Sequence, residues 1–195
     1  MTKLLAFLTV TLMTIQAHSL VLSEVEVPQS ITARDNQTAL SLKGAAIRRT
    51  YGIIKTYVGQ LYLADTNLTA EQILASEGAR RMVFHIVTNR ARNRRFISSI
   101  NDSLPQNLSA EEIAVLRPRL DKMGSLLDVP LEKDTVFYIE WEPASQLNYL
   151  VVNGELKGSV PGLDINNAIL QLWIGENPIG RDFKQEILGL AEARD

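Results

Sequence analysis

Two side chains in the stretch from Gly44 to Leu63 have the chemistry to bind an anion together: Arg48 and Tyr57. A guanidinium stays charged at any accessible pH and offers a two-pronged donor to a carboxylate, and a phenol adds one hydroxyl donor on a rigid ring. Because Arg48 follows the apolar Ile47 and its surroundings are largely apolar, its charge must reach water, pair with an internal acid or await an anionic ligand. The structural alternative is a salt-bridged arginine beside a core tyrosine.

The other residues with chemically useful side chains give little support for a catalytic or metal site. His85 is the one histidine after residue 19, so a Ser-His-Asp relay would have to be built on it, and its apolar neighbours are typical of a structural histidine. With no cysteine, a zinc site would need carboxylates at spacings that the sequence lacks. Glu140 and Glu142 alternate along one strand and are interpreted as its solvated side rather than an acid/base pair. We therefore expect no metal and no cofactor.

Residues 1–19 have the pattern of a secretory signal peptide. Lys3 gives the positive start, Leu4 to Ile15 the apolar run, and Ala17-His18-Ser19 an A-x-A-like cleavage site. The apolar run is shorter than the roughly 20 residues of a membrane-spanning helix, although an uncleaved anchor is the alternative. Residues 20–195 are then expected to form a single domain, periplasmic or secreted.

The charge of that domain argues against nucleic acid as a partner. The whole chain has 20 Lys+Arg and 22 Asp+Glu, and removal of Lys3 with the signal leaves 19 against 22, a net charge of −3. Nucleic-acid binding usually needs a net basic face. The arginine cluster at 90–95 is local and is interpreted as a solvated helix start, which gives a weak anion-attracting rim.

Arg48 and Tyr57 would converge if a tight hairpin folds their segments side by side. Residues 53–63 alternate β-branched and aromatic side chains on two largely apolar faces, which predicts a central strand. Strands are also expected over residues 82–88, 135–142 and 147–160, the last with a type I′ hairpin at Asn153-Gly154.

Helices are expected between and after these strands. Thr69 and Ser109 each begin a capping box, residues 91–103 have helical spacing, and two helices end the chain. Pro118 should bend or split the helix that follows Ser109. This order of elements predicts an α+β fold, with helices packed against a mostly antiparallel sheet.

Several motifs, in order and over most of the domain, resemble the chalcone isomerase-like family in its bacterial branch. They are Gly44-Ala45-Ala46-Ile47-Arg48, Lys55-Thr56-Tyr57, Leu61-Tyr62-Leu63, Asn153-Gly154, residues 158–162 and Leu172-Trp173-Ile174-Gly175-Glu176-Asn177-Pro178. The resemblance implies an open-faced β-sandwich, a large antiparallel sheet with a helical layer and a ligand cleft between them.

The resemblance also implies two alternative functions. Arg48 matches the family's arginine, but Tyr57 stands where the plant isomerases have a threonine. Tyr57 matches instead the non-catalytic fatty-acid-binding relatives, in which arginine and tyrosine hold the ligand carboxylate. The isomerases' further tyrosine and asparagine have no assigned counterpart in residues 90–101, where Asn93 and Asn101 are the asparagines. We therefore expect binding of a fatty acid or similar amphipathic carboxylate; the alternative is a cofactor-free isomerase, an intramolecular lyase acting on a chalcone-like phenolic or enone substrate.

Overall fold

The computed structural model describes residues 20–89 and 91–195, which form nine strands and five α-helices. The signal peptide expected at residues 1–19 and Arg90 of the arginine cluster lie outside the described residues. The strands are β1 (Leu20–Leu22), β2 (Val25–Val27), β3 (Ser30–Thr32), β4 (Ala39–Thr50), β5 (Ile54–Leu63), β6 (Arg80–Ile86), β7 (Val136–Glu142), β8 (Leu147–Val152) and β9 (Glu155–Pro161).

The helices occupy the segments between and after the strands. They are α1 (Ala70–Ala75), α2 (Asn93–Ser103), α3 (Ala110–Leu126), α4 (Leu163–Ile174) and α5 (Arg181–Ile187), with a short 3-10 helix at Leu104–Gln106. Both capping boxes are formed, since the Thr69 and Ser109 hydroxyls accept from backbone N–H groups that open α1 and α3. No helix in the described part of the chain is long and apolar enough to cross a membrane.

Strands β3 to β9 form one antiparallel sheet in which neighbours in sequence are neighbours in space. The main core lies between this sheet and the helices, and its largest fully buried side chains include Trp173, Phe84 and Phe137. The separate β1–β2 hairpin packs on the other face, against Ile47 and Val58. The expected α+β fold, a large antiparallel sheet with a helical layer, is confirmed.

Small residues in β4 and β5 let α5 approach the sheet closely. A Cβ atom built on Gly44 would lie 2.5 Å from the carbonyl oxygen of Glu186, and one on Gly59 would lie 2.5 Å from the Phe183 ring. Since Cβ contacts below about 3 Å do not occur in relaxed structures, α5 can pack at this distance only against glycine. The small-residue passage before Arg48 therefore sets the position of α5.

The structure narrows one expectation from the sequence and corrects another. Pro118 lies inside α3, which is continuous from Ala110 to Leu126, so the proline does not split the helix. Glu140 is not on a solvated side: it is fully buried, pairs with the Arg81 guanidinium and accepts a hydrogen bond of 2.7 Å from the backbone N–H of Arg34. The chain before β4 covers this part of the sheet, and strand alternation by itself does not show which face is covered.

Candidate functional site

The β4–β5 hairpin places Arg48 and Tyr57 directly opposite each other. They are register partners in the antiparallel ladder, so their side chains leave the same face of the sheet. That face carries the helices, because Ala46 and Tyr57 both belong to the core between sheet and helices. The convergence expected from a tight hairpin is therefore present at the level of the backbone.

Tyr57 is held in a fixed orientation by aromatic neighbours. Its side chain is 6% exposed, and the rings of Phe84, Phe96 and Phe183 meet it edge-on at centroid distances of 5.4, 6.0 and 5.9 Å. Such edge-to-face contacts suit the charge distribution of aromatic rings and restrict the tyrosine to one rotamer.

The Tyr57 hydroxyl is left with a proton to donate. The indole Nε1–H of Trp173 donates to the Tyr57 oxygen over 2.8 Å, and an indole N–H cannot accept in return. Within residues 20–89 and 91–195, no group is found to accept the hydroxyl proton. Burial raises the pKa of Tyr57 to about 12, against the lowering effects of the Trp173 hydrogen bond and the Arg48 charge. The phenol therefore stays neutral and is a hydrogen-bond donor at physiological pH.

Arg48 has no acidic partner among the residues that the structure describes. Its side chain is half-buried, and one guanidinium nitrogen would lie 3.3 Å from a Cβ atom on Gly180, which places the charge beside the residue preceding α5. No carboxylate of residues 20–89 or 91–195 forms an ion pair with it. The salt-bridged alternative is not found among the described residues, so the half-buried guanidinium is free to meet water or an anionic ligand.

The two fully buried charges found in the sheet among the described residues both have partners. Arg80 is 3% exposed and donates to the side chains of Asn166 and Asn167 and to the carbonyl of Ile73; burial lowers its pKa to about 10, so it stays charged at neutral pH. Glu140 lies on the opposite face of the sheet and pairs with Arg81. Arg48 differs from both, since it is half-buried and has no acidic partner among the described residues, which leaves its donors open to water or to an anionic ligand.

An apolar cavity of about 280 Å³ lies between the sheet and helices α2, α3 and α4. Its walls include Phe137, Leu150 and Ile169, and the exposed Asp121 and Ser125 lie among its polar lining residues. A predominantly apolar cavity with a few polar groups is typical of sites for amphipathic ligands.

Neither Arg48 nor Tyr57 lines this cavity. Phe84, Phe96 and Trp173 do line it, and each of the three also contacts Tyr57. The three aromatic side chains thus form a wall with the Arg48–Tyr57 pair on one side and the cavity on the other. The sequence predicted the pair but not this separation.

The remaining candidates lie elsewhere or have other partners. Phe84 and Ile86 face the helices, so His85 between them faces the opposite side of the sheet, where its Nε2 lies 3.7 Å from a carboxylate oxygen of Asp134. Asn93 donates to Asp128 over 2.9 Å, whereas Asn101 lines the cavity. Among the described residues no cluster of three potential metal ligands is found.

Sequence reasoning missed Trp173 as a site residue. It lies in α4, the first of the two helices expected at the end of the chain, and is 1% exposed. The available signal was its indole N–H, because a buried tryptophan usually directs that group to an acceptor. Nothing in the local sequence identifies the acceptor as Tyr57, which lies 116 positions earlier in the chain.

The buried tyrosines predict sensitivity to alkali. Burial raises the pKa of Tyr57 to about 12 from 10.0 and also raises the pKa values of Tyr62 and Tyr138. The folded protein therefore keeps protons that the unfolded chain releases, so this stabilisation is complete below about pH 10 and is lost as pH rises through the folded-state pKa. Urea unfolding should show a falling free energy of unfolding above about pH 10. Tyr57→Phe should reduce that fall by roughly 2 to 3 kcal/mol, and an unchanged pH profile would contradict the assignment.

Comparisons with known proteins agree with the overall fold. The sequence matches the profile of the family described as chalcone isomerase-like over residues 19–189. A search of curated proteins finds no match. Among solved structures, a fatty-acid binding protein of Arabidopsis thaliana superposes with a TM-score of 0.65 at 17% sequence identity, covering 88% of this chain and 96% of that one. At that identity the superposition shows a common fold, and together with the family match it establishes that the chain belongs to the chalcone isomerase-like family.

Proposed function

We propose that the protein binds a fatty acid or similar amphipathic carboxylate, with Arg48 and Tyr57 at the head group, and that it has no catalytic role. The observation that carries the proposal is the unpartnered Arg48 guanidinium opposite a tyrosine whose hydroxyl proton has no acceptor among the described residues. A carboxylate supplies two oxygens and a negative charge, which would satisfy both groups at once. The structurally similar Arabidopsis protein, which is named as a fatty-acid binding protein, supports the same ligand class.

The apolar cavity is the proposed place for the hydrocarbon tail. An engineered protein cavity of about 150 Å³ holds one benzene molecule of six carbons, so about 280 Å³ has room for roughly eleven carbon atoms. Those carbons would contact apolar walls and leave water, at a gain of about 0.8 kcal/mol for each methylene. The volume supports a medium-length acyl chain of roughly eleven carbons inside the cavity rather than a short acid.

Phe96 is the proposed gate between the head-group pair and the cavity. Its helix, α2, has no fully buried residue, no side-chain cap at its start and no acid in its first turn. Arg94 and Arg95 lie instead near the positive end of the helix dipole, which is unfavourable. Because α3 and α4 both contain buried residues, α2 is the more weakly anchored helix, and a turn of the Phe96 ring would join the two compartments.

Mass spectrometry tests the proposal directly. Protein purified from a bacterial host and then denatured should release acyl chains. In a second measurement, saturated fatty acids of increasing length are titrated into delipidated protein loaded with a fluorescent fatty acid, and they should displace the fluorescent probe. Affinity should rise with chain length until the cavity is full. A protein that is empty on purification and has no affinity for any fatty acid would refute the proposal.

Tyr57→Phe should weaken fatty-acid binding about tenfold. The change removes the hydroxyl donor to the carboxylate, and hydrogen bonds to charged groups contribute about 1.5 to 3 kcal/mol. Displacement titration measures the loss. Tyr62→Phe is a matched control, since Tyr62 is also fully buried but donates its hydroxyl to Gln60 or the Pro28 carbonyl and packs in a separate core cluster. Equal losses in both variants would indicate a general effect on folding and not a head-group contact.

The isomerase alternative has weaker support at this site. Arg48 and Tyr57 would also stabilise a phenolate or an enolate. The aromatic side chains in contact with Tyr57, however, are Phe84, Phe96, Phe183 and Trp173, none of which can act as a general base. Absorbance assays with chalcones discriminate the two functions, because ring closure above the rate in solution would contradict a purely binding role.

We also propose that the protein acts in the periplasm or outside the cell, after removal of residues 1–19. The positive start, apolar run and small-residue site of that segment support this location. N-terminal sequencing of the protein from a fractionated bacterial host tests it. A mature chain that begins at residue 20 in the periplasmic or secreted fraction is expected, and an intact Met1 in the cytosol would refute it.

A further inference from the structure

The turn between β4 and β5 exposes two large hydrophobic side chains. Tyr51 is 89% exposed and Ile53 is 82% exposed, the highest values among the large hydrophobic side chains of the described residues. Neither packs against any of the hydrophobic clusters. Single exposed hydrophobic residues are ordinary, but two at the tip of one hairpin form a small projecting apolar surface.

The backbone at this tip does not favour the aromatic residue found there. Tyr51 has φ of 54° and Gly52 has φ of 74°, both in the left-handed region. Glycine, asparagine and aspartate are the usual residues in such turns, and a bulky side chain there has a conformational cost. Folding would be served better by asparagine, so the exposed ring of Tyr51 points to a role outside folding.

Basic side chains lie on the two strands that form the tip and in the segment that follows β6. Arg49 and Lys55 flank the turn on its two strands. The backbone N–H of Val87 donates to the Thr56 carbonyl over 3.1 Å, so the chain leaving β6 towards α2 emerges at the same end of the sheet as the turn. The exposed Arg92, Arg94 and Arg95 lie at the start of α2. We call Tyr51, Ile53 and these five basic residues the tip surface.

Acidic residues offset only part of this charge. Asp195 pairs with Lys55 over 2.5 Å, and Glu24 lies 3.7 Å from Lys133, a further basic residue near this end. The exposed Asp134 also lies at this end, since its backbone N–H donates to the carbonyl of Ile86, the last residue of β6. Arg49 donates only to the backbone carbonyl of Arg194, which carries no charge. No carboxylate of residues 20–89 or 91–195 forms an ion pair with Arg92, Arg94 or Arg95. The tip surface therefore combines an apolar point with an excess of positive charge.

We propose that the tip surface docks the protein on an anionic lipid bilayer. Tyrosine suits the boundary between head groups and acyl chains, isoleucine suits the acyl region, and arginine and lysine attract anionic head groups. Arg48 and Tyr57 lie on the same hairpin, so a docked protein would hold its head-group site next to the membrane surface. The purpose that we assign to docking, exchange of the ligand with the bilayer, rests on the proposed function. The evidence for the docking surface is independent of that function.

Vesicle flotation tests this inference. Wild-type protein should float with vesicles of phosphatidylcholine and phosphatidylglycerol, bind much less to phosphatidylcholine alone, and be released as salt is raised, because salt screens exposed charges. The double variant Tyr51→Ser/Ile53→Ser should lower the vesicle partition coefficient at least about tenfold, since both apolar contacts are lost. In Tyr51→Trp, anionic vesicles should shift the tryptophan emission to shorter wavelength.

Val115→Ser is the matched control, because Val115 is an equally isolated hydrophobic residue, 71% exposed on α3. It should bind vesicles as the wild type does. Any of three results would overturn the inference: wild-type protein that does not float, equal binding to neutral and anionic vesicles, or a double variant that floats like the wild type. Absence of flotation would point to a protein contact at the tip instead. Fatty-acid displacement by the double variant should match the wild type, which separates a failure of docking from a failure of the binding function.

Discussion

Replacing Arg48 by alanine is expected to lower fatty-acid affinity roughly 100-fold, because removal of one partner of a hydrogen-bonded charge pair typically costs 2 to 5 kcal/mol. The ligand carboxylate would lose its positive counter-charge and its two-pronged donor and keep only the Tyr57 hydroxyl. Protein isolated from the bacterial host should then be depleted of acyl chains. Displacement titration gives the affinity, and mass spectrometry gives the retained ligand.

The same variant should leave the ligand-free protein about as stable as the wild type. Arg48 has no ion-pair partner among the described residues, so its removal breaks no such contact, and surface-type substitutions usually change stability by less than about 0.5 kcal/mol. This combination distinguishes a ligand contact from a structural arginine, whose loss would destabilise the fold.

Two further variants test whether the loss of affinity is specific to the Arg48 guanidinium. Arg49→Ala removes the same charge from the next residue, which donates to the Arg194 backbone carbonyl, and it should bind fatty acid like the wild type. Arg48→Lys keeps the charge but not the planar fork, so intermediate affinity is expected. If Arg48→Ala retains its ligand, or if Arg49→Ala loses it equally, Arg48 is not the head-group contact.

Filling the cavity should abolish binding of long acyl chains. Gly124 of α3 lines the cavity, and a Cβ atom built there would lie at an ordinary contact distance of 3.5 Å from Ile97. In Gly124→Leu the four added carbons would occupy about a third of the cavity volume of about 280 Å³, at about 25 Å³ for each carbon. Excluding three or four methylenes costs about 3 kcal/mol, or roughly 100-fold in affinity.

Gly124→Ala is the control for this prediction. It adds a single carbon and should bind nearly as the wild type does, while replacement of a helical glycine raises the free energy of unfolding by up to about 1 kcal/mol. Titration with fatty acids of increasing length should show Gly124→Leu losing long chains and keeping short ones. If Gly124→Leu binds every chain as the wild type does, the tail does not enter this cavity. That result would not bear on the head-group contact, which Arg48→Ala tests separately.

The two sets of variants separate the two halves of the proposed ligand. Arg48→Ala should weaken binding of all chain lengths by a similar factor, because every fatty acid has the same carboxylate. Gly124→Leu should weaken binding in proportion to length. This contrast follows from the aromatic wall of Phe84, Phe96 and Trp173, which places charge recognition and apolar burial on its two sides.

Local sequence patterns were sufficient to predict most of the strands and helices and the class of fold. Strand alternation, the capping boxes at Thr69 and Ser109 and the Asn153-Gly154 turn depend on residues a few positions apart, and the structure reproduces them. The same local reasoning indicated that Arg48 and Tyr57 would converge if a tight hairpin joined their segments, and the register places the two residues opposite each other.

The partners of the charged and polar side chains could not be predicted in this way, because they come from distant parts of the chain. Glu140 is buried against Arg81, 59 positions away, and the Trp173 indole donates to Tyr57, 116 positions away. The lack of a carboxylate partner for Arg48 among the described residues depends on how all the surrounding segments pack. Local rules fix the face from which a side chain leaves its strand or helix, but the packing of distant elements decides what lies opposite that face. The unpartnered arginine could therefore be suspected from sequence and located only in the folded chain.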